Sequence, residues 1–167
     1  MILETERLII KDFEENMAKD VHLNSLEEDV QRFIPDEYFP SEEDALDTIK
    51  YLISQYDGDE LFVHPIFLKN GENIGYVQLV KIPLGFEVGY HIAKRHTKKG
   101  YASEALKAFM KYMMDKLNLN EVYGICLYDN YASRKVLGKC GFNLFFQGED
   151  LYHGENNYIC KFIYKKQ

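Results

Sequence analysis

The sequence predicts an α+β fold, a mixed and mostly antiparallel central sheet flanked by helices. Three observations predict it. Residues 61–92 hold three strand-like runs joined by short turns. Residues 101–117 place apolar side chains at helical spacing. Val122 to Leu127 is then a nearly continuous apolar run, as expected of a strand covered on both faces. A meander followed by a strand–helix–strand crossover gives antiparallel pairing with one parallel neighbour.

Taken in order, Arg7-Leu8-Ile9-Ile10 reads as a strand, and 14–24 as a helix with a weaker pattern. Ser41, just after Pro40, is positioned to cap the next helix. There Ala45, Leu46, Ile49, Leu52, Ile53 and Tyr56 follow helical spacing. Strands near 61–69 and 73–81 are separated by Asn70-Gly71. That pair favours a tight hairpin turn in which both residues take positive φ. Pro65 cannot donate to a ladder, so its strand carries a bulge or lies at an edge. After the turn Pro83-Leu84-Gly85, Phe86, Val88, Tyr90 and Ile92 alternate with Glu87, Gly89 and His91. The helix at 101–117 gathers Ala102, Ala105, Leu106, Phe109, Met110, Met113 and Leu117 on one face. A short helix at 130–140 buries Ala132, Val136, Leu137 and Cys140, and Gly141 stops it. Runs at 142–146 and 158–164 close the chain as a strand pair. The element order is β-α-α-β-β-β-α-β-α-β-β.

A length of 167 residues suits one domain spanning 1–167. The net charge of −7 argues against a general nucleic-acid binder, whose affinity needs many phosphate contacts. Charges occupy the start, where a signal peptide would be apolar, and no run approaches a membrane span. Cys126, Cys140 and Cys160 are few and widely spaced, so they read as reduced core residues of a cytoplasmic protein. The five histidines are scattered and suggest no metal site.

Chemistry concentrates at residues 93–105, a basic loop that leaves one strand and enters a helix. The first N–H groups of a helix have no intrahelical partner, and the dipole is positive there. Lysines beside that turn make a place for phosphate, although the same residues suit a solvated loop. The spacing of a Walker loop and that of a dinucleotide fingerprint are both absent.

Gly100-Tyr101-Ala102-Ser103-Glu104-Ala105-Leu106, preceded by Glu87-Val88-Gly89-Tyr90, resembles the acetyl-CoA motif of the GCN5-related N-acetyltransferases (GNAT). Thr5-Glu6-Arg7-Leu8-Ile9-Ile10 resembles the opening strand of the branch that holds the ribosomal-protein alanine N-acetyltransferases. Asn130-Tyr131-Ala132-Ser133, running on to Lys139-Cys140-Gly141-Phe142, is similar to that branch's Asn-x-x-Ser signature. The resemblance spans nearly the whole chain. It departs where Thr97 replaces the usual Arg and Lys98 the usual first Gly. Binding through backbone N–H groups then calls for negative φ at residue 98, with Lys98 or Arg95 supplying the missing charge.

The resemblance implies a GNAT, or acyl-CoA N-acyltransferase, fold and acetyl transfer from acetyl-CoA to a primary amine, without a metal. It implies cofactor contacts at Ile92, Ala93, Thr97, Lys98, Lys99, Gly100, Tyr101, Ala102, Ser103 and Asn130. Backbone groups at His91, Ile92 and Ala93 would hold the pantetheine arm and polarise the thioester carbonyl. Glu87 and His91 share a face and are candidate bases, and Ser133 is the candidate acid. Leu137 stands where many relatives carry an acidic tyrosine. Asn130 and Ser133 also read as ordinary residues of a helix start. The acceptor stays open among a protein N-terminus, a polyamine, an amino sugar and an antibiotic, with a small cationic amine or a peptide N-terminus preferred. Glu27, Glu28, Asp29, Asp36, Glu37, Tyr38, Phe39, Tyr152 and His153 are candidate pocket residues. Neither membrane nor nucleic acid is an expected partner, and the chain is a monomer or a homodimer. A CoA-binding sensor that has lost catalysis is the alternative reading, and the basic loop alone leaves a protein for another phosphate ligand open as well.

Overall fold

The computed structural model describes residues 1–28, 30 and 38–167. The N-terminal run forms two strands, β1 (Ile2–Glu4) and β2 (Leu8–Lys11), where one was expected. A single helical turn over Glu15–Met17 leads into helix α1 (Ala18–Ser25). Helix α2 (Glu42–Ser54) starts as its sequence requires. Ser41 Oγ accepts the Asp44 N–H at 3.1 Å, and Glu42, Glu43 and Asp44 meet the positive end of the dipole. The meander is β3 (Leu61–Leu68), β4 (Asn73–Ile82) and β5 (Gly85–Ile92). Helix α3 (Tyr101–Leu117) crosses over to β6 (Glu121–Leu127). Helix α4 (Tyr131–Lys139) leads to the closing hairpin, β7 (Asn143–Tyr152) and β8 (Glu155–Lys165).

These strands form one mixed sheet in the order β1-β2-β3-β4-β5-β6-β8-β7. All neighbours are antiparallel except β5 and β6. Helix α3 seals one face through Ala105, Leu106, Phe109, Met110 and Met113, which pack with Phe62, Ile66, Val77 and Val88. Helices α1 and α2 cover the opposite face over β3, through Ala18, Ala45, Ile49, Val63 and Phe67. Leu137 and Cys140 are buried as α4's spacing implies, but Ala132 is exposed because it sits on the first turn, facing away from the sheet. Ile53, near the end of α2, is also exposed.

Two turns differ from the sequence reading, while the strand of Pro65 carries the bulge expected of it. At Asn70-Gly71 only Gly71 takes positive φ, at 93°. Asn70 Oδ1 instead accepts the Glu72 N–H at 2.9 Å, which makes a longer turn from Leu68 to Glu72. The two-residue turn with both φ positive lies at His153-Gly154, φ 52° and 79°, at the tip of the β7–β8 hairpin. That hairpin is much longer than 142–146 and 158–164 suggest. Its outer half is polar, as an edge ribbon tolerates, and such a stretch reads as loop. Pro65 lies one residue beyond the β2 ladder, next to a register shift between Ile66 and Phe67.

Gly75 shows how tightly β4 and β5 are joined. Its φ is 150°, and a Cβ there would lie 1.8 Å from the His91 carbonyl oxygen. Gly75→Ala is therefore expected to destabilise the fold by about 3 kcal/mol or more, measured by chemical denaturation, with the loss falling on the β4–β5 pair.

Candidate active site

The site begins where two strands part. β5 and β6 pair only at Glu87 with Tyr123 and at Val88 with Gly124. Beyond that rung β5 stays joined to β4 as far as Ile92 opposite Gly75, and β6 stays joined to β8. The two inner edges then separate. The Ala93 N–H donates to the Ile74 carbonyl at 2.7 Å, so Ala93 is turned toward β4. Because backbone direction alternates along a strand, Tyr90 and Ile92 present their N–H and C=O groups to the opening, while those of His91 face β4. Of the three backbone positions expected to hold the arm, geometry leaves Ile92 facing the gap.

The basic loop leaves this same strand. After a tight turn at Lys94–His96, φ alternates in sign: Thr97 −73°, Lys98 +63°, Lys99 negative and Gly100 +82°. The expectation of negative φ at residue 98 is thus corrected. Left-handed backbone costs a non-glycine residue about 1–2 kcal/mol, and Lys98 bears it because alternating φ turns successive N–H groups into one concavity. Among the described residues, no N–H from Lys98 to Ser103 donates a hydrogen bond, and Lys98 and Lys99 form no ion pair. Anions suit such a concavity at a helix start. Arg95 does not supply the extra charge. Its guanidinium donates to Asn24 Oδ1 at 3.0 Å and to the Asn73 carbonyl at 3.3 Å, and lies 3.6 Å from Glu72. His96 Nε2 lies 2.7 Å from the same Glu72. Thr97 Oγ1 donates to the Lys94 carbonyl at 2.8 Å and shapes the loop from within.

A carboxylate that sequence reasoning passed over fixes this loop. Glu104, on the first turn of α3, accepts from Thr5 Oγ1 at 2.6 Å, from the Arg7 N–H at 2.9 Å and from Arg7 Nε at 2.7 Å. Desolvation pushes its pKa up, but these hydrogen bonds and the Arg7 charge hold it below the ordinary range. Arg7 also donates to the Lys99 carbonyl at 2.8 Å and stacks 4.4 Å over the Tyr101 ring. The signal lay in Thr5-Glu6-Arg7, which the sequence reading used only as a strand.

Glu87 is half-buried beside the last rung, and its carboxyl makes no hydrogen bond among the described residues. Burial alone raises its pKa from the ordinary 4.5 to about 7. Gly89 follows, and the Gln78 side chain lies across it, 2.7 Å from where a Cβ would stand. His91 comes next on the same face. It contacts Tyr76 and lines a small cavity of about 20 Å³ together with Asn24, Ser25, Phe39 and Asn73.

Across the opening, Asn130 Oδ1 accepts the Ser133 N–H at 3.2 Å, so Asn130 caps α4. Ser133 meets a residue the sequence placed only in the core. The Tyr90 hydroxyl donates to the Ser133 carbonyl at 3.0 Å and lies 3.0 Å from Ser133 Oγ. Leu137 is buried against the sheet. A Cβ on Gly124 would stand 2.6 Å from its methyl carbon, so glycine admits it.

On the expected acceptor side, Glu27 accepts the Lys94 N–H at 2.6 Å and so braces the loop. Tyr152 and His153 meet edge to face on the hairpin tip, with ring centroids 4.2 Å apart. Phe39 is fixed by Ser25 Oγ, which accepts its N–H at 3.0 Å. Asp29, Asp36 and Glu37 lie outside the described residues. Among the described residues, no cluster of His, Cys, Asp or Glu could hold a metal, and no helix is long and apolar enough to cross a membrane.

Comparison with known proteins fits this geometry. The model of the acetyltransferase (GNAT) domain family matches residues 7–143. The chain is 30% identical over 144 residues to the uncharacterized N-acetyltransferase YnaD of Bacillus subtilis, covering 84% of this chain and 82% of that protein. It superposes with a TM-score of 0.85 on a GNAT-family acetyltransferase from Bacillus anthracis, at 25% identity, covering 99% and 98% of the two chains. The fold is shared at the same TM-score with RimL, a ribosomal L7/L12 alpha-N-protein acetyltransferase solved with coenzyme A, at 19% identity and with 99% and 98% coverage.

The burial of Glu87 has a consequence for stability. A carboxyl whose pKa is raised on folding gives stability in full below its unfolded value, and that stability is lost as pH rises through the folded value. Wild-type stability should therefore fall between about pH 4.5 and about pH 7 on this account. Glu87→Gln should flatten that part of the profile and raise Tm relative to wild type at pH 8, as read by thermal melts across pH.

Proposed function

Because the chain belongs to the acetyltransferase (GNAT) domain family and is an N-acetyltransferase, we propose that it moves acetyl from acetyl-CoA to a primary amine by direct attack in a ternary complex. One observation carries this reading: the open β5 edge at Tyr90 and Ile92 is followed, after one tight turn, by the Lys98–Ser103 concavity. An extended arm with a phosphate end would find both features on one continuous segment. The residues therefore fit the cosubstrate, and the reading treats 1–167 as one catalytic domain.

Acetyl-CoA would supply an acetyl group already activated as a thioester. The N–H groups of Lys98 to Ser103, with the Lys98 and Lys99 charges, would hold its pyrophosphate. Tyr101 and Ala102 belong to that first helical turn. The Ile92 backbone, facing the opening, would pair with the arm and meet charge developing on the carbonyl. Holding both reactants in place supplies much of the rate, since effective molarities reach about 10⁵ M or more. Glu87 would take the proton an ammonium must lose, with His91 as the other candidate four residues further along the same face. Ser133 stands on the α4 side, where a hydroxyl would meet the leaving sulfur, and Asn130 would lie along the arm.

The acceptor in this reading is a small cationic amine or a peptide N-terminus. The free, buried state of Cys126, Cys140 and Cys160 supports a cytoplasmic setting and offers no acyl-cysteine route. Burial pushes the Cys126 thiol up to about 12, away from nucleophilic use.

A panel of peptides, polyamines, amino sugars and aminoglycosides, followed by release of the CoA thiol, tests the reading. Turnover with one class is expected. Acetyl-CoA binding with no turnover on any amine would leave a binding module instead. With the best amine, kcat/KM should rise with pH through about 7, as Glu87 loses its proton. Glu87→Gln should remove that inflection and lower the plateau by about 10²-fold or more. An unchanged profile would exclude Glu87 as the base.

A further inference from the structure

We propose that Tyr90 is a positioning residue that spans the opening between β5 and β6 and orients the Ser133 hydroxyl toward the sulfur of bound CoA. The proposal rests on the acetyl-CoA reading above.

Tyr90 stands two residues past the last β5–β6 rung, on the segment whose inner edge is open. Its side chain nevertheless crosses to the first turn of α4, the helix that follows β6. There its hydroxyl meets two atoms of one residue, the Ser133 carbonyl oxygen and Ser133 Oγ, both at 3.0 Å. These two contacts tie the open part of β5 directly to α4.

Counting hydrogens fixes what this pair does. A phenol carries one hydrogen, and a carbonyl oxygen can only accept. When Tyr90 donates to the Ser133 carbonyl, its own oxygen is left to accept the Ser133 hydroxyl hydrogen. The serine hydrogen is then held by Tyr90 and is not offered to a ligand in the opening. When a sulfur bears negative charge in the opening, a second arrangement takes over. Tyr90 donates to Ser133 Oγ instead, and the serine hydrogen turns to the sulfur. Each oxygen keeps its own hydrogen, and no covalent bond is made or broken. Hydroxyls in a chain polarise one another, so a serine backed by a phenol is a better donor than a lone serine. Equal distances to the two acceptors allow the exchange without moving the ring.

The remaining titratable neighbours of Tyr90 are Cys126 on β6, Cys140 at the end of α4 and Tyr152 on β7. Burial raises the Cys126 and Cys140 thiols, so neither obscures the titration of a CoA thiol near neutrality.

The test uses the full chain as wild type, Tyr90→Phe, Ser133→Ala and the double variant. Phenylalanine keeps the ring, and thermal melts check that each variant folds. The first readout needs no acceptor amine: the thiol pKa of bound CoA, followed by ultraviolet thiolate absorbance. Wild type should bind the thiolate form more tightly than either single variant, by about fivefold or more, the scale of one net hydrogen bond. The second readout is kcat with the best amine. Tyr90→Phe should lower kcat by about fivefold with KM for acetyl-CoA unchanged. In the Ser133→Ala background the same change should cost nothing further, since both act through one hydroxyl. Bound-CoA titrations that coincide for wild type and Tyr90→Phe, or losses that multiply in the double variant, would overturn the proposal. Failure of the wild type to bind CoA at all, seen calorimetrically, would instead overturn the acetyl-CoA reading beneath it and the proposal with it.

Discussion

The parting of β5 from β6 is the constraint on which the rest of the site depends. Each strand is satisfied on its outer side, β5 by β4 and β6 by β8. Their mutual contact ends at Val88 and Gly124. Leu137 marks that end, because its methyl groups occupy the space that a side chain on Gly124 would take. Above it the inner backbone groups have no strand to pair with. Leaving such groups buried and unmatched costs about 1–3 kcal/mol each. An amide-bearing arm that entered the opening would meet that need, so the gap favours a ligand shaped like a strand.

A second arrangement keeps the opening in register with the loop above it. Glu104 gathers Thr5, the Arg7 backbone and the Arg7 side chain onto one carboxylate. Arg7 then reaches the Lys99 carbonyl and covers Tyr101. The N-terminal turn thereby fixes the start of α3 from one side. Arg95, His96 and the Lys94 N–H fix the loop from the other, through Asn24, Glu72 and Glu27. Held at both ends, the Lys98 backbone is kept at a φ that a lysine disfavours. The mechanical role of Arg95 engages its charge within the loop, and the side chains of Lys94, Lys98 and Lys99 are left facing solvent.

Much of this was legible in the sequence because it follows from periodicity. The helix at 101–117 matched α3 at both ends, and the Ser41 cap and the β5 alternation appear as read. Local chemistry misled where it competes with other local chemistry. Asn70-Gly71 has the composition of a two-residue turn, yet the Asn70 side chain bonds ahead to Glu72 and lengthens it. The hairpin with the expected turn sits at His153-Gly154, inside a polar stretch that gives no strand signal. Long-range pairing was the other blind spot. Tyr90 and Ser133 are 43 residues apart, and Arg7 and Glu104 are 97 apart, so no spacing rule could join them. Tyr90 in particular keeps the apolar alternation of its strand, which hides the hydroxyl at its tip.

The environment of Glu87 shows how a strand edge can tune chemistry without a dedicated partner. An alkyl ammonium has a pKa of about 10.4, far above that of a solvated carboxylate. Proton transfer to such a carboxylate is therefore strongly uphill. Burial beside Tyr123 and Gly89 raises Glu87 from 4.5 to about 7. At about 1.4 kcal/mol per unit, that brings donor and acceptor closer by roughly 3 kcal/mol. No charged neighbour contributes to the shift, which comes from desolvation alone. A cation arriving at this face would act in the opposite direction and favour the ionised carboxylate. The same half-burial that raises Glu87 thus makes its charge depend on occupancy. Without a cation the carboxyl is largely protonated below about pH 7, and on the proposed reading an arriving ammonium would favour the ionised form that a base must have.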